Sequence, residues 1–410
     1  MDSVSFKDDR IMLAKLINAA QRVRAVAITR RGSRWHNFRG VGVAGCRACG
    51  GSAGMGIVAA SALMVLFLLF TAPSVADACT RILWTNNLGV FTGRTMDWAQ
   101  STEPLLIVFP RGIKRDGGVF AGHRVVEGKT VTWTSKYGSI VTSMNGMGAV
   151  DGMNQAGLSV HLLYFSPTDF GARNPSIKGL QAAAWAQYIL DNSATVQQAI
   201  SLMDNVQLVQ IPVKKGEDEA NVHMAVEDTS GDSVILEYVH GKLHVYHNRL
   251  YKVMTNDPAY PDQLEQLKRK DFSHPGKNMP LPGNVNAVDR FQRASYYLSM
   301  LREPKTVRQA VASLSSILNN VSVPFGAPYG RNGPTGRHGF DTYNTEYRTI
   351  TYLTNERYYF QLATAPSMVW GNLLKFDLKP GAPVMMLNPD NTSLSGNVTG
   401  KFHRSKGIPF

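Results

Sequence analysis

Between residues 79 and 165, hydrophobic and polar positions follow the short-range pattern that is typical of β-strands. TRILWTN, FTGRTMDW and LLIVFPRG are short, rich in β-branched and aromatic residues, and separated by Gly, Asn or charged turns. The stretch from 139 to 165 continues the pattern, and its NQAG segment at 154–157 predicts a hairpin turn between two apolar strands. The first 90 residues after Cys79 therefore predict a run of strands.

Helical periodicity begins near Ile177. Apolar residues recur at i, i+3 and i+4 in IKGLQAAAWAQYILDN, and ATVQQAISLMDNV follows as a second helix. A three-strand meander is predicted next, with turns at 230–231 and 240–241. Two amphipathic helices, VDRFQRASYYLSMLREP and TVRQAVASLSSILNNV, then precede the hairpin YRTITYLTNERYYFQLAT and a late strand, LLKFDLKP.

The order of these segments is strands, helices, strands, helices, strands. Segregated runs favour an α+β fold over a doubly wound parallel sheet. Several strands are apolar at consecutive positions, which indicates that both of their faces are covered. The sequence thus predicts a layered sandwich with helices outside and sheets inside.

An apolar run at 57–70 lies ahead of this region. It has no charge and no Pro, and about 14 residues are short for a membrane span, which needs roughly 20. Pro73 and the small-x-small triplet Ala76-Asp77-Ala78 follow it, as they follow the apolar part of a signal peptide. We therefore expect a signal peptide at 55–78, a mature chain at 79–410 as a single domain, and a periplasmic or secreted protein.

The segment before this run, residues 1–54, is basic and loop-like, and we expect it to be absent from the mature protein. A translation start at Met55 fits the sequence equally well. An uncleaved N-terminal anchor, which would make the protein a membrane-anchored zymogen, is the alternative. With cleavage after Ala78, we expect no stable association with the membrane.

Charge and cysteine content exclude several classes of function. The formal net charge is +13, and the positive charges after residue 78 are scattered, without a basic run interleaved with aromatics. Nucleic acid is therefore not an expected partner. Cys46 and Cys49 form a lone C-x-x-C, which is weak evidence for zinc or redox chemistry without a second pair. No histidines have metal-site spacing, so neither a metal nor a cofactor is predicted.

Cys79 would be the single cysteine of the mature chain and its first residue. A thiol has a pKa of about 8.5, and an α-amine, with a pKa of about 7.7–8, can remove its proton. Nucleophile and base would then belong to one residue. In a strand, Arg94 and Trp98 share one face of GRTMDW while Asp97 lies on the other, so a bulge is needed to bring Arg94 and Asp97 together at Cys79. From the residues alone, an ordinary surface Arg/Asp pair remains the alternative.

Several ordered motifs resemble those of the choloylglycine hydrolase family, which contains penicillin V acylases and conjugated bile salt hydrolases in the N-terminal nucleophile hydrolase superfamily. CTRIL and GRTMDW are followed by VDGMNQAGL at 150–158, by MTNDP at 254–258 and by LPGNVNAVDRF at 281–291. The family has an LTNSP-like motif where this chain has MTNDP. The resemblance implies a four-layer αββα sandwich, hydrolysis of a linear amide bond in a small-molecule N-acyl substrate, and a homotetramer.

The resemblance also implies roles for individual residues. Cys79 is the nucleophile and its α-amine is the base. Arg94 favours the thiolate, and Asp97 hydrogen-bonds the α-amine. Asn256 offers its side-chain amide to the oxyanion, and Arg290 ties this network together.

Tyr164 is implied to supply a backbone N–H to the same oxyanion. Bile salt hydrolases typically have Asn here and penicillin V acylases have Tyr, so this position favours a penicillin V acylase-like enzyme. Some members of the Gram-negative branch also cleave N-acyl homoserine lactones. Trp98 fits a wall of the acyl pocket and a core tryptophan equally well.

Two alternatives remain open at this point. One is a conjugated bile salt hydrolase, which cleaves the same kind of amide with a differently shaped pocket. The other is a periplasmic binding protein whose acylase site has decayed and whose Cys79 is structural. Reactivity of the Cys79 thiol distinguishes an enzyme from such a binder.

Overall fold

The computed structural model describes residues 79–211, 221–327 and 343–406. The predicted N-terminal extension, the signal peptide and the Cys46–Cys49 pair lie outside these residues. The strands are, in chain order, β1 (Thr80–Asn86), β2 (Gly89–Asp97), β3 (Leu105–Phe109), β4 (Lys114–Asp116), β5 (Val119–Phe120), β6 (His123–Arg124), β7 (Thr132–Thr134), β8 (Ser139–Met144), β9 (Gly148–Asn154), β10 (Ser159–Tyr164), β11 (Lys178–Gln181), β12 (Val206–Val209), β13 (Val222–Glu227), β14 (Ser233–Val239), β15 (Lys242–His247), β16 (Val253–Thr255), β17 (Thr345–Tyr352), β18 (Arg357–Leu362), β19 (Val369–Asn372), β20 (Met385–Leu387), β21 (Gly396–Asn397) and β22 (His403–Arg404).

Two large sheets dominate the described part of the chain. One has the strand order β16-β1-β2-β17-β18-β19-β21, and the other has the order β15-β14-β13-β10-β9-β8-β3-β20-β22. We call them the seven-stranded and the nine-stranded sheet. The first strand after the predicted cleavage site, β1, lies between β2 and β16, and this arrangement determines which side chains surround Cys79.

Helices cover the outer faces of both sheets. The α-helices in the described residues are α1 (Trp185–Asn192), α2 (Val196–Leu202), α3 (Tyr260–Lys268), α4 (Ala287–Ser299) and α5 (Val307–Val321). Helices α1 and α2 pack on the nine-stranded sheet, α4 and α5 pack on the seven-stranded sheet, and α3 packs on α4. The predicted four-layer αββα sandwich is confirmed. None of the helices in these ranges is long and apolar enough to cross a membrane.

Local sequence explains where helices α2, α4 and α5 begin. The side chains of Thr195, Asn286 and Thr306 each accept a hydrogen bond from the backbone N–H three residues later, which satisfies a donor that the helix leaves unpaired. Helix α5 comes very close to β2 at Gly93, where an added Cβ would lie 2.9 Å from a methyl group of Leu318. A side chain at residue 93, beside Arg94, would therefore have to displace the Leu318 side chain.

Charged and polar side chains join the two sheets in the interior. His161 on β10 forms ion pairs with Asp151 on β9, at an N–O distance of 2.7 Å, and with Glu227 on β13, at 3.2 Å. Glu227 also pairs with Arg81 on β1, and the Tyr358 hydroxyl on β18 donates to Asp151 at 3.0 Å. All five side chains are buried, so this network holds the sheets together in the middle of the sandwich.

Most of the predicted strands and helices are confirmed, including the hairpin at 154–157 and the three-strand meander β13–β15. Two predictions were wrong. The helix expected from Ile177 begins at Trp185, because Lys178–Gln181 pairs in parallel with Val206–Val209. The strand expected at LLKFDLKP is a 3₁₀ turn at Leu373–Lys375, where the Asn372 side chain accepts from the Leu374 N–H.

Candidate active site

Cys79 lies directly before β1 and is only 2% exposed. The antiparallel register places Thr80 opposite both Thr95 on β2 and Thr255 on β16. The end of β2, with Arg94 and Asp97, therefore lies on one side of Cys79, and Asn256, directly after β16, lies on the other. Strand pairing alone thus brings these predicted site residues together.

The Cys79 sulfur lies next to one cation. Arg94 Nη2 is 3.6 Å from Sγ, and the same guanidinium donates through Nη1 to the carbonyl oxygen of Val150 at 2.9 Å. The Asp97 carbonyl oxygen is 3.9 Å from Sγ. Burial raises the pKa of the Cys79 thiol above its ordinary value, and the charge of Arg94 acts in the opposite direction. Arg94 is therefore the neighbour that most favours a thiolate.

The Cys79 nitrogen donates to Oδ1 of Asn256 at 2.5 Å. In the unprocessed chain this nitrogen is a peptide amide. Asn256 Oδ1 also accepts from Arg290 Nη2 at 3.1 Å, and Asn256 Nδ2 donates to the Tyr164 carbonyl oxygen at 2.8 Å. These three partners fix the orientation of the Asn256 amide, because two donors face its oxygen and an acceptor faces its nitrogen.

The backbone of Tyr164 faces the Asn256 side-chain amide. Tyr164 pairs with Val222 at the end of β10, and the next N–H along the chain, that of Phe165, donates to Asn221 of the neighbouring segment. N–H groups alternate in direction along an antiparallel strand, and the N–H and C=O of one residue point to the same edge. The Tyr164 N–H is therefore directed to the edge where its carbonyl oxygen meets the Asn256 amide.

The Asp97 carboxylate is buried among hydroxyl groups and one arginine. Thr95 Oγ1 donates to Oδ2 at 3.0 Å, Thr345 Oγ1 donates to Oδ1, and Arg290 Nη1 is 3.9 Å from Oδ2. Burial raises the pKa of Asp97 to about 6, although Arg290 and the threonine hydroxyls lower it. The contact to the Cys79 nitrogen in this unprocessed chain is made by Asn256, and the Asp97 carboxylate approaches Cys79 through Arg290.

A bulge does occur at this position, but in the neighbouring strand. The register between β17 and β2 shifts between Thr345 and Tyr347, opposite Asp97 and Met96. The shift brings Thr345 level with Asp97, and its hydroxyl donates to the carboxylate. Arg94 and Asp97 keep their opposite faces of β2. Arg94 approaches the Cys79 sulfur with its side chain, whereas Asp97 approaches it with its carbonyl oxygen.

Arg290, on α4, completes the group. Its Nη1 donates to the Cys79 carbonyl oxygen and to Thr80 Oγ1, both at 2.6 Å, and its Nε donates to the Val285 carbonyl oxygen at 2.8 Å. The side chain is fully buried. It therefore donates hydrogen bonds to the Cys79 carbonyl oxygen and to the Asn256 amide oxygen, and it lies beside the Asp97 carboxylate.

Trp98, directly after β2, belongs to a group of aromatic rings. Its ring centroid is 6.0 Å from that of Tyr164 and 6.1 Å from that of Tyr343. Trp98, Tyr164 and Tyr343 are each half-buried, so they form a partly open aromatic surface beside the polar site. Tyr343 precedes β17 and was not identified from the sequence.

Sequence reasoning also missed the residues that hold the site residues in place. Thr345 lies 248 residues after Asp97, and no local pattern marks it. Asp257 and Ser166 interact through the Ser166 N–H, which donates to Asp257 Oδ1 at 3.0 Å, and through the Ser166 hydroxyl, which donates to Oδ2. One signal was available for Asp257, since MTNDP has Asp where the family pattern has Ser.

The fold and this site define the class of protein, a hydrolase with the αββα fold of the N-terminal nucleophile superfamily. The family model described as "Linear amide C-N hydrolases, choloylglycine hydrolase family" matches residues 79–394. The chain belongs to the choloylglycine hydrolase family, and it is a linear amide C–N hydrolase with a small-molecule substrate.

Relatives of known name support this assignment. The chain is 34% identical to a penicillin V acylase from Pectobacterium atrosepticum over 374 residues, which cover 84% of this chain and 95% of that protein. It is 24% identical over 266 residues to a bile salt hydrolase/transferase from Clostridium perfringens, covering 57% of this chain and 76% of that protein.

Solved structures agree with the fold. A penicillin V acylase from Agrobacterium tumefaciens matches with a TM-score of 0.70 and 34% identity, covering 81% of this chain and 98% of that one. A mutant conjugated bile acid hydrolase from Clostridium perfringens matches with a TM-score of 0.64 and 19% identity, covering 78% of this chain and 98% of that one. At that identity the second match supports the fold alone.

Proposed function

We propose that this enzyme is a penicillin V acylase-like amide hydrolase whose nucleophile is Cys79, freed as the first residue by removal of residues 1–78. One observation carries the proposal. The sulfur of Cys79 faces a cation, Arg94, at 3.6 Å, while its nitrogen faces a buried acceptor, Asn256, at 2.5 Å. Both atoms that the chemistry needs therefore have polar partners in the buried interior.

These contacts support the following reaction. The α-amine takes the thiol proton, and the thiolate attacks the acyl carbon to form a C–S bond. The Tyr164 N–H and the second N–H of Asn256 Nδ2 stabilise the oxyanion. The protonated amine gives its proton to the leaving nitrogen as the C–N bond breaks. Water, with the amine as base, then hydrolyses the thioester and restores the thiol.

The contribution of the oxyanion donors to the rate can be measured. Loss of one donor to an oxyanion typically costs roughly 10²–10³ in rate. Arg290 touches no reacting atom in this scheme and holds the Cys79 main chain. Asp97 accepts one of the hydrogens that cleavage adds to the nitrogen and so orients the amine that acts as base.

The aromatic group Trp98, Tyr164 and Tyr343 supports an acyl group with an aromatic or apolar body, such as the phenoxyacetyl group of penicillin V. The names of the acylases that are 34% identical support the same class of substrate. N-acyl homoserine lactones, which join an apolar chain to an amide, are a further substrate class. Conjugated bile salts are the alternative, supported by the names of the more distant relatives.

We also propose export. The apolar run at 57–70 and the triplet Ala76-Asp77-Ala78 support a cleaved signal peptide and a periplasmic or secreted enzyme. The homotetramer is proposed from the family resemblance alone.

The decisive experiment determines the N-terminal residue of the active protein and compares it with a Cys79→Ser variant. We expect sequencing to begin at Cys79 and the variant to lose most activity. An active form that retains residues before Cys79 would contradict the mechanism. A kinetic panel of penicillin V, a long-chain acyl homoserine lactone and glycocholate then identifies the substrate. The highest kcat/KM for glycocholate would support the bile salt alternative.

Reactivity of the thiol separates the enzyme from a binding protein with a decayed site. Iodoacetamide should alkylate Cys79 of the processed protein at neutral pH, because Arg94 favours the thiolate. An inert thiol together with tight binding of an unhydrolysed N-acyl amide would favour the binding protein. Cys79 is the single cysteine among residues 79–410, so the modification is assigned without ambiguity.

A further inference from the structure

The two donors to the proposed oxyanion belong to different sheets. Asn256 directly follows β16 of the seven-stranded sheet, and Tyr164 ends β10 of the nine-stranded sheet. The distance between the Asn256 amide and the Tyr164 N–H therefore depends on how the two sheets are held at this end of the sandwich. An oxyanion needs both donors at about 2.7–3.1 Å from one position, so a small displacement of either sheet matters.

One pair of side chains crosses from sheet to sheet beside these donors. Asp257, the residue after Asn256, accepts from both the N–H and the hydroxyl of Ser166, two residues after Tyr164. The N–H contact is 3.0 Å long, and Asp257 is only 6% exposed. A carboxylate that accepts two bonds from one residue fixes orientation as well as distance.

The chain segments that carry Ser166 and Asp257 are each fixed by further contacts. Phe165, between Tyr164 and Ser166, stacks on His223 with ring centroids 4.7 Å apart and nearly parallel planes. On the other side, Gln263 Nε2 donates to the carbonyl oxygens of Asn256 at 2.6 Å and of Pro258 at 2.8 Å. The Asp257–Ser166 pair thus joins two segments that are each fixed to their own layer.

We propose that Asp257 and Ser166 are positioning residues that set the separation of the two oxyanion donors, Asn256 Nδ2 and the Tyr164 N–H, across the two sheets. This role rests on the proposed function, because it assumes those donors. Neither Asp257 nor Ser166 is proposed to touch the substrate. Their effect reaches the reaction through the two neighbours that they hold.

The test compares Asp257→Ala, Ser166→Ala and the double variant with the wild-type enzyme in hydrolysis of penicillin V, or of whichever panel substrate the wild type cleaves best. We expect kcat to fall roughly 10- to 100-fold in each, as displacement by about 1 Å can cost 10²-fold. KM should change little, because the donors act in the transition state. The double variant should lose no more than Asp257→Ala, since that single variant already removes both hydrogen bonds to Ser166.

Alkylation of Cys79 by iodoacetamide supplies the readout that a general structural defect would change. Alkylation passes through no oxyanion, so its rate and pH profile should equal those of the wild type in all three variants. Asp257→Asn, which can still accept from the Ser166 N–H and donate to its hydroxyl, should retain most activity. Asp271→Ala, an exposed aspartate after α3, is the control and should be fully active.

Three results would overturn the proposal. The first is a kcat of Ser166→Ala equal to that of the wild type, and the second is a variant in which the alkylation rate falls as much as kcat. The third is a double variant whose loss of kcat equals the product of the losses in the two single variants. If Asp257→Ala does not fold, Ser166→Ala, which removes only a hydroxyl, decides the question. Failure of the proposed function gives a different result. If the proposed function is wrong, hydrolysis by the wild-type protein does not depend on Cys79. If only the positioning role is wrong, hydrolysis depends on Cys79 and the Asp257 and Ser166 variants remain active.

Discussion

Arg290 Nη1 donates a hydrogen bond of 2.6 Å to the carbonyl oxygen of Cys79. The arginine reaches this oxygen from α4, in the outer layer of the sandwich, and the same guanidinium donates to Asn256 Oδ1. One helix therefore fixes both the main chain of the nucleophile and the amide that faces it.

Replacement of Arg290 by Lys should lower kcat/KM about 100-fold. Lysine keeps the charge but offers one nitrogen, so it cannot serve the Cys79, Asn256 and Val285 oxygens together. Each buried acceptor that is left without a donor also costs about 1–3 kcal/mol of stability. Steady-state kinetics and urea unfolding test both effects.

Arg293→Lys is the matched control for this variant. Arg293 lies on the same helix and donates to the carbonyl oxygens of Pro282 and Asn284, away from Cys79. It should lose some stability and little activity. Equal activity losses in the two variants would show that α4 acts only through packing.

Arg94→Gln should move the pH profile of Cys79 alkylation to higher pH by about 1 to 3 units, the usual effect of a close opposite charge. Burial already raises the pKa of this thiol, and Arg94 is the largest influence that opposes burial, so its removal should raise the pKa further. Iodoacetamide rates between pH 5 and 10 measure the shift. The exposed Arg124→Gln should leave the profile unchanged, and an unmoved profile in Arg94→Gln would contradict the role of Arg94.

His161→Gln should destabilise the protein by about 3–5 kcal/mol near pH 6, because it leaves Asp151 and Glu227 buried without their shared cation. These two carboxylates raise the pKa of His161 above 6.5 despite burial, which alone would lower it. The stability that protonated His161 supplies is complete below pH 6.5 and is lost as pH rises through the raised pKa. The difference from wild type should therefore shrink at alkaline pH.

Urea unfolding at pH 6, 7.5 and 9 measures this difference. His244→Gln, at an exposed position on β15 of the same sheet, should change stability by less than 0.5 kcal/mol at every pH, as is usual for a surface substitution. A constant difference between wild type and His161→Gln across this range would mean that the charge of His161 contributes nothing.

Gly93→Ala should cost about 1–3 kcal/mol, the usual penalty for an added methyl group in a packed core. The new Cβ would lie 2.9 Å from Leu318 and 3.2 Å from Leu314, both on α5. Thermal or urea unfolding measures the loss. Gly276→Ala has open space around its Cβ and should be nearly neutral, and a neutral Gly93→Ala would show that α5 moves without cost.

Tyr164→Asn should preserve hydrolysis and change the preferred substrate. The oxyanion receives the backbone N–H of residue 164, which the substitution retains, whereas the ring beside Trp98 is lost. We expect kcat/KM for penicillin V to fall at least tenfold, on the order of 1.4 kcal/mol of transition-state binding, and that for glycocholate to fall less. Complete inactivity toward every substrate would contradict a purely backbone role in catalysis.

The sequence predicted the layers and the residues around Cys79 because these depend on local patterns. Periodicity identifies α4 and α5, and ordered motifs carry Arg94, Asp97, Asn256 and Arg290. The failures concern partners that are distant along the chain. Lys178–Gln181 is a strand only because Val206–Val209 lies beside it, which its own helical spacing does not reveal.

The same limit applies to the site. Thr345 reaches Asp97 through a bulge in β17, and Ser166 reaches Asp257 across two sheets. Such contacts depend on register and on the spacing of layers, which no single stretch of sequence contains. The expectation that the Asp97 carboxylate holds the Cys79 amine stays a prediction, since in the unprocessed chain the nitrogen is an amide bound to Asn256.

That bond has a consequence for maturation. The Cys79 nitrogen already has its neighbour before any cut at the Ala78–Cys79 bond, so removal of residues 1–78, as proposed, would convert an amide into an amine at a place where its acceptor is waiting. Cleavage would then supply the free amine that the mechanism needs, at a nitrogen that Asn256 already holds in position.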